Sequence, residues 1–203
     1  MIRKTVIQRG LISAVLVIAS FAAHAASQTV EQAYPGLTSG ALGSANLTAL
    51  PAGTILRAGD VQITQKDLDS EIAKSPAEIR NQLKTNAFFL LENKATKELI
   101  VAEAKAWAKK SNRKADEPED QLMQAYFKNL VEKVDSATDE DAKSFYDANK
   151  DMVGSATFEQ VKDQIKEYLL DQKRQALVDE HIKTIGERIA IEVDKAWTTK
   201  QYT

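Results

Sequence analysis

Residues 54–74 read TILRAGDVQITQKDLDSEIAK, and within them the apolar spacing switches from a strand period to a helical one. Residues 54–63 predict a short hairpin with Gly59-Asp60 near its turn. Thr64 and Asp67 then stand three apart as a capping pair, and Ile63 and Leu68 bracket the helix start with the spacing of a hydrophobic staple. The flanking sequence decides whether strands or helices dominate.

Downstream, helix starts follow one another. Ser75-Pro76 with Glu78 supplies a cap, a first-turn proline and a capping-box acid. Asp116-Glu117-Pro118-Glu119 places acids at the positive end of another helix. Thr138 with Asp141 and Thr157 with Gln160 repeat the capping spacing. These signals predict five helices, over 65–74, 76–110, 118–134, 139–150 and 158–187. No Gly or Pro interrupts residues 77–117, so the second helix is expected to run roughly 50 Å unbroken. The fifth carries Phe158, Val161, Ile165 and Leu169, then Val178, Ile182 and Ile185. After Gly186 the period changes again. Ile189, Ile191 and Val193 alternate with Ala190, Glu192 and Asp194, a half-buried strand suited to pair with the hairpin. The expected fold is mostly α: an elongated helical domain of about five helices, with a small β element made from an N-terminal hairpin and a C-terminal strand.

Upstream, residues 1–25 read as a secretory signal peptide. Arg3, Lys4 and Arg9 precede an apolar run over 11–23, and Ala23-His24-Ala25 is a small-x-small cleavage pattern. The run is shorter than the ~20 residues that a bilayer span needs, so stable membrane insertion is not expected. Cleavage after Ala25 and a periplasmic location are. Residues 26–53 hold Gly36, Gly40, Gly43, Gly53, Pro35 and Pro51 with no periodicity, and are expected to form a flexible leader. Gly40 to Ala45, GALGSA, lacks the lysine of a phosphate loop. The domain proper is expected over 54–197, with a tail at 198–203.

Composition removes several function classes. The 203 residues carry a net charge of −2, a poor match for a phosphate backbone, so no nucleic-acid partner is expected. There is no cysteine, hence no thiol chemistry, disulfide or zinc ribbon. The two histidines, His24 and His181, cannot form a histidine metal cluster, and no metal or cofactor is expected. His181 lies on an amphipathic helix, where packing is a commoner role than catalysis. Residues 135–141 are acidic but lack the glycine and terminal glutamate of a calcium loop. Lys109, Lys110, Arg113 and Lys114 run directly into acids, as dipole compensation at a helix junction would require. No catalytic residue is singled out. The aromatic pairs Phe88-Phe89, Tyr126-Phe127 and Phe145-Tyr146 are the candidate binding residues: neighbours on a helix point about 100° apart, so one ring of each pair can be core while the other faces a groove.

The order of several segments resembles the SurA/PrsA-type periplasmic foldases. ILRAGDVQITQKDLDSEI at 55–72 resembles their first strand, turn and helix, and LIVAEAKA at 99–106 their next signature helix. TDEDAKSFYDANK at 138–150 and FEQVKDQIKEYLL at 158–170 look like the family's later helices. Many of these foldases carry a parvulin prolyl-isomerase domain between the last two segments; here seven residues, 151–157, lie there. The resemblance therefore implies the chaperone module alone, without isomerase chemistry. It implies an ATP-independent holdase for unfolded or newly exported polypeptides, outer-membrane or secreted proteins among them, held in a cradle between long helices. The alternative is a dedicated escort, assembly or scaffold subunit for one exported partner, or a homodimer built on the long helices. An enzyme with isomerase activity at an unrecognised site is the third reading.

Overall fold

The computed structural model describes residues 28–38, 40–114 and 116–202; the expected signal peptide lies outside them. The fold is mostly helical with one small sheet, as the capping and period signals require. The hairpin forms from β1's successors in the chain: β1 is Asn46–Thr48, β2 Thr54–Ala58 and β3 Val61–Thr64, with the last two antiparallel. Gly59, at φ +57°, makes the turn. The C-terminal strand β4 (Ile191–Asp194) pairs antiparallel with β2, setting Leu56 opposite Val193. Arg57 and Glu192 sit opposite each other in the same ladder and form a 2.6 Å ion pair. The sheet order is β1-β4-β2-β3, and β1 adds to β4 in parallel.

The helices are α1 (Val30–Ala33), α2 (Gln65–Lys74), α3 (Ala77–Thr85), α4 (Ala87–Lys110), α5 (Glu119–Val131), α6 (Asp139–Ala148), α7 (Lys150–Val153), α8 (Phe158–Arg188) and α9 (Lys195–Tyr202). The capping boxes at Thr64/Asp67 and Thr138/Asp141 form, and at Thr157/Gln160 the Gln160 Oε1 accepts from the Thr157 N–H at 2.8 Å. At Ser75 the expected cap does not form. Ser75 instead closes α2, its hydroxyl donating to the Glu71 carbonyl, and Pro76 precedes α3 without a side-chain cap.

Two further expectations need correction, and the tail gains a structure. The helix expected over 76–110 breaks at Asn86, which leaves helical geometry at φ −106°, ψ 44°. Asn competes for backbone groups and favours such breaks. The break lets Phe88 enter the core while α3 buries no residue. The described part of residues 26–53 is folded, with Val30, Ala41, Leu42, Ala45 and Leu47 buried in the main core. Its glycines mark turns and a close helix approach. Residues 198–202 of the tail, to which no element is assigned from sequence, belong to α9, which begins where Trp197 N–H donates to Asp194 Oδ1 at 2.8 Å; Thr198 is fully buried.

The main core lies between the sheet, α2, the start of α4 and the end of α8, and the folded strap of residues 28–50 closes it. A second cluster joins α4 to α5 through Ile100, Ala104, Ala108, Leu122 and Tyr126. Along α8 the buried residues stand at its two ends, Ile165 and then Ile185-Gly186. Twenty residues of helix rise about 30 Å. Helix α8 thus carries α6 and α7 well away from the sheet.

Candidate functional site: an apolar cleft between helices 6, 7 and 8

Helix α6 lies on the first half of α8 and is held there by charge. Asp139 takes Lys162 at 2.6 Å and Lys166 at 2.8 Å, and Asp141 takes Lys173 at 3.3 Å. Hydrogen bonds from Lys162 and Lys166 bring the Asp139 carboxyl down to about 2. Asp141 is lowered too, first by the Thr138 backbone N–H of the capping box and then by Lys173. Ala137, Ala142 and Ile165 are buried beneath these pairs. Ala142 is small enough for the two helices to come together there.

Beyond that contact the helices separate. Gly154, at φ +62°, ends α7 and turns the chain back toward α8. Between the three helices lies a cleft of about 370 Å³, walled by Phe145, Met152, Val153, Val161, Ile165 and Tyr168, with Gln164 at its polar edge. Phe145 and Tyr168 meet with ring centroids 5.3 Å apart. Met152 is 78% exposed and Tyr168 49%, so large apolar groups reach solvent at the cleft mouth. Two other depressions are lined with charge: Asp69, Arg80 and Lys84 between α2 and α3, and Glu71, Lys94, Lys97 and Glu98 beside α4.

The six sequence candidates scatter. Phe145 lines the cleft. Tyr146, beside it, is spent on structure: its hydroxyl donates to the Ala156 carbonyl at 2.8 Å and its ring packs edge-on against Phe158. Phe88 is 3% exposed in the main core, near Trp197, and Tyr126 is buried in the second cluster with Phe127 packed beside it. Phe89 is 60% exposed on α4, outside the cleft. The lining residues Met152, Val153 and Tyr168 escaped sequence reasoning. Met152-Val153 lay in the short stretch between two helices, where an apolar pair without periodicity gives no face assignment. Tyr168 gave no signal of its own within the α8 stripe.

His181 bonds to the Tyr126 hydroxyl at 2.6 Å where α5 crosses α8, and Trp107 stacks on the same tyrosine. Burial raises the Tyr126 phenol above its ordinary value. The pair ties two helices together. Among the described residues no three His, Asp or Glu side chains are grouped to hold a metal ion, and no helix is long and apolar enough to cross a membrane.

Comparison with known proteins returned no matching family model, no matching curated protein and no matching solved structure.

Proposed function

We propose that this chain is an ATP-independent holdase that binds unfolded or newly exported polypeptides in the periplasm and has no isomerase activity. The observation that carries the reading is the open apolar cleft between α6, α7 and α8, with Met152 and Tyr168 at its mouth. Methionine adapts its shape to varied side chains, which suits a site that must accept unrelated sequences. Burying one leucine- or phenylalanine-sized anchor contributes about 1.5–3 kcal/mol, and association costs several kcal/mol in lost freedom. A single anchor is therefore held weakly and released without nucleotide. The resemblance of the segment order to SurA/PrsA-type foldases is in keeping with the same reading.

The test is aggregation of two unrelated unfolded proteins, an outer-membrane β-barrel and a soluble protein, with and without the chain from Ala26. Suppression of both at near-stoichiometric ratio is expected. The double substitution Met152→Ser/Tyr168→Ser should abolish it while leaving helicity unchanged, because both side chains are exposed. Suppression of neither client overturns the holdase reading and directs attention to one dedicated folded partner.

A further inference from the structure

The charges around the cleft are unbalanced, and the ion pairs show on which side. Residues 139–173 contain nine acids and five lysines, a net of −4 within a chain whose total is −2. Each of the five lysines is committed to an acid of α6. Lys162 and Lys166 pair with Asp139, Lys173 with Asp141, and Lys143 and Lys150 with Asp147. The pairs to Lys162, Lys166 and Lys173 tie α6 to α8, and among the described residues five acids of the segment have no ion pair: Glu140, Asp151, Glu159, Asp163 and Glu167.

Two of these acids stand next to the cleft, Asp151 and Glu167. Asp151 adjoins Met152 in the chain. On α8, residues three or four apart are surface neighbours. Glu167 therefore flanks the cleft residue Gln164, and Asp171 flanks Tyr168. Asp171 reaches Arg174 only at 3.4 Å, with both side chains largely in solvent. The apolar mouth thus carries a negative rim of Asp151, Glu167 and Asp171, of which only Asp171 has an ion partner among the described residues.

We infer that the cleft selects polypeptide segments in which an apolar anchor is flanked by lysine or arginine. The inference rests on the cleft being the holdase site and adds which clients it prefers. Rim charges of this kind steer encounters and discriminate between partners more than they add affinity. The same rim repels anionic lipid surfaces, phosphates and acidic segments, so an unfolded basic polypeptide is the occupant with the right chemistry.

The experiment uses a short disordered peptide with one Phe and one Leu anchor, made with Lys, Ser or Glu flanks and followed by fluorescence anisotropy on the chain from Ala26. At low salt the Lys peptide should bind about tenfold more tightly than the Ser peptide, a difference of about 1.4 kcal/mol, and the Glu peptide should bind least. At about 1 M salt, where the screening length falls to about 3 Å, the three should converge. The variant Asp151→Asn/Glu167→Gln/Asp171→Asn removes the three rim charges, of which only Asp171 has an ion partner, Arg174 at 3.4 Å, among the described residues. It should bind all three peptides as the wild type binds the Ser peptide. Equal binding of Lys and Ser peptides to the wild type, or an unchanged order in the variant, overturns the inference and leaves the holdase reading standing. Binding of none of them at any salt overturns both.

Discussion

Gly186 lies inside the last turns of α8, where replacing glycine by alanine is normally helpful. By helix propensity alone the substitution would stabilise the protein by about 1 kcal/mol. The tertiary contact reverses the sign. A Cβ on residue 186 would stand 2.4 Å from the Ala41 carbonyl oxygen and 3.0 Å from its carbonyl carbon and Cα. Carbon–oxygen contacts settle at about 3.3 Å or more, so the strap must retreat by roughly 0.9 Å. Its obstacle is backbone, which cannot rotate aside as a side chain can. Ala41 and Leu42 are fully packed in the main core and would move with it. The retreat also strains the 3.1 Å hydrogen bond from the Ser44 hydroxyl to the Gly186 carbonyl. Overpacking costs about 1–3 kcal/mol and a lost hydrogen bond about 1 kcal/mol. Set against the propensity gain, the net is a destabilisation of about 2 kcal/mol. Urea unfolding of the Gly186→Ala chain, read by the fluorescence of Trp107 and Trp197, which pack against the two cores, measures it. Amide exchange supplies the location. The N–H groups of Val30 and Leu47, bonded at 2.9 Å to Ala45 and Gln28 carbonyls, should lose protection more than α6 does. A Gly186→Ala protein as stable as the wild type or more so would refute the close contact, and with it the docked strap.

Two further outcomes are expected. Phe88→Ala should cost about 3–5 kcal/mol of stability, since the ring is buried in the main core; Phe89→Ala, one residue on and exposed, should stay within about 0.5 kcal/mol, and a reversed pair of values in chemical denaturation would mean that α4 is rotated. Acid should release α6 from α8: the Asp139 carboxyl titrates lower in the folded protein than its ordinary 3.8, so its contribution is full above that value and is lost as the pH falls toward about 2. Chemical shifts of Phe145 and Tyr168 followed from pH 5 to pH 2 should change in that window, and Asp139→Asn should shrink the change to what Asp141, paired with Lys173, still contributes.

Much of the fold is legible locally. The capping boxes at Thr64 and Thr138 form as spaced, and Gln160 meets the Thr157 N–H, because a cap is satisfied by backbone groups within three residues of it. The strand after Gly186 follows from its period-two alternation, and its pairing with β2 from the match of apolar faces. The cleft was legible in part. Phe145 was a candidate by residue type, whereas Met152 and Tyr168 became lining residues only through the path of the chain at Gly154.

The sequence by itself determined the helical majority, the hairpin, the C-terminal strand and most helix starts, since each rests on neighbours within about four positions. Only the tertiary structure decided that residues 28–50 are a packed strap, that the helix breaks at Asn86 to admit Phe88, and that three short apolar stretches enclose a cleft. Glycine and proline mark a chain that turns, whether it is slack or pinned. What pins this one is contact with Gly186, over 140 residues away, and with Glu92, whose carboxylate accepts from Thr38 and from the Gly40 N–H. Those partners share no sequence period with the strap, so no local reading could have joined them.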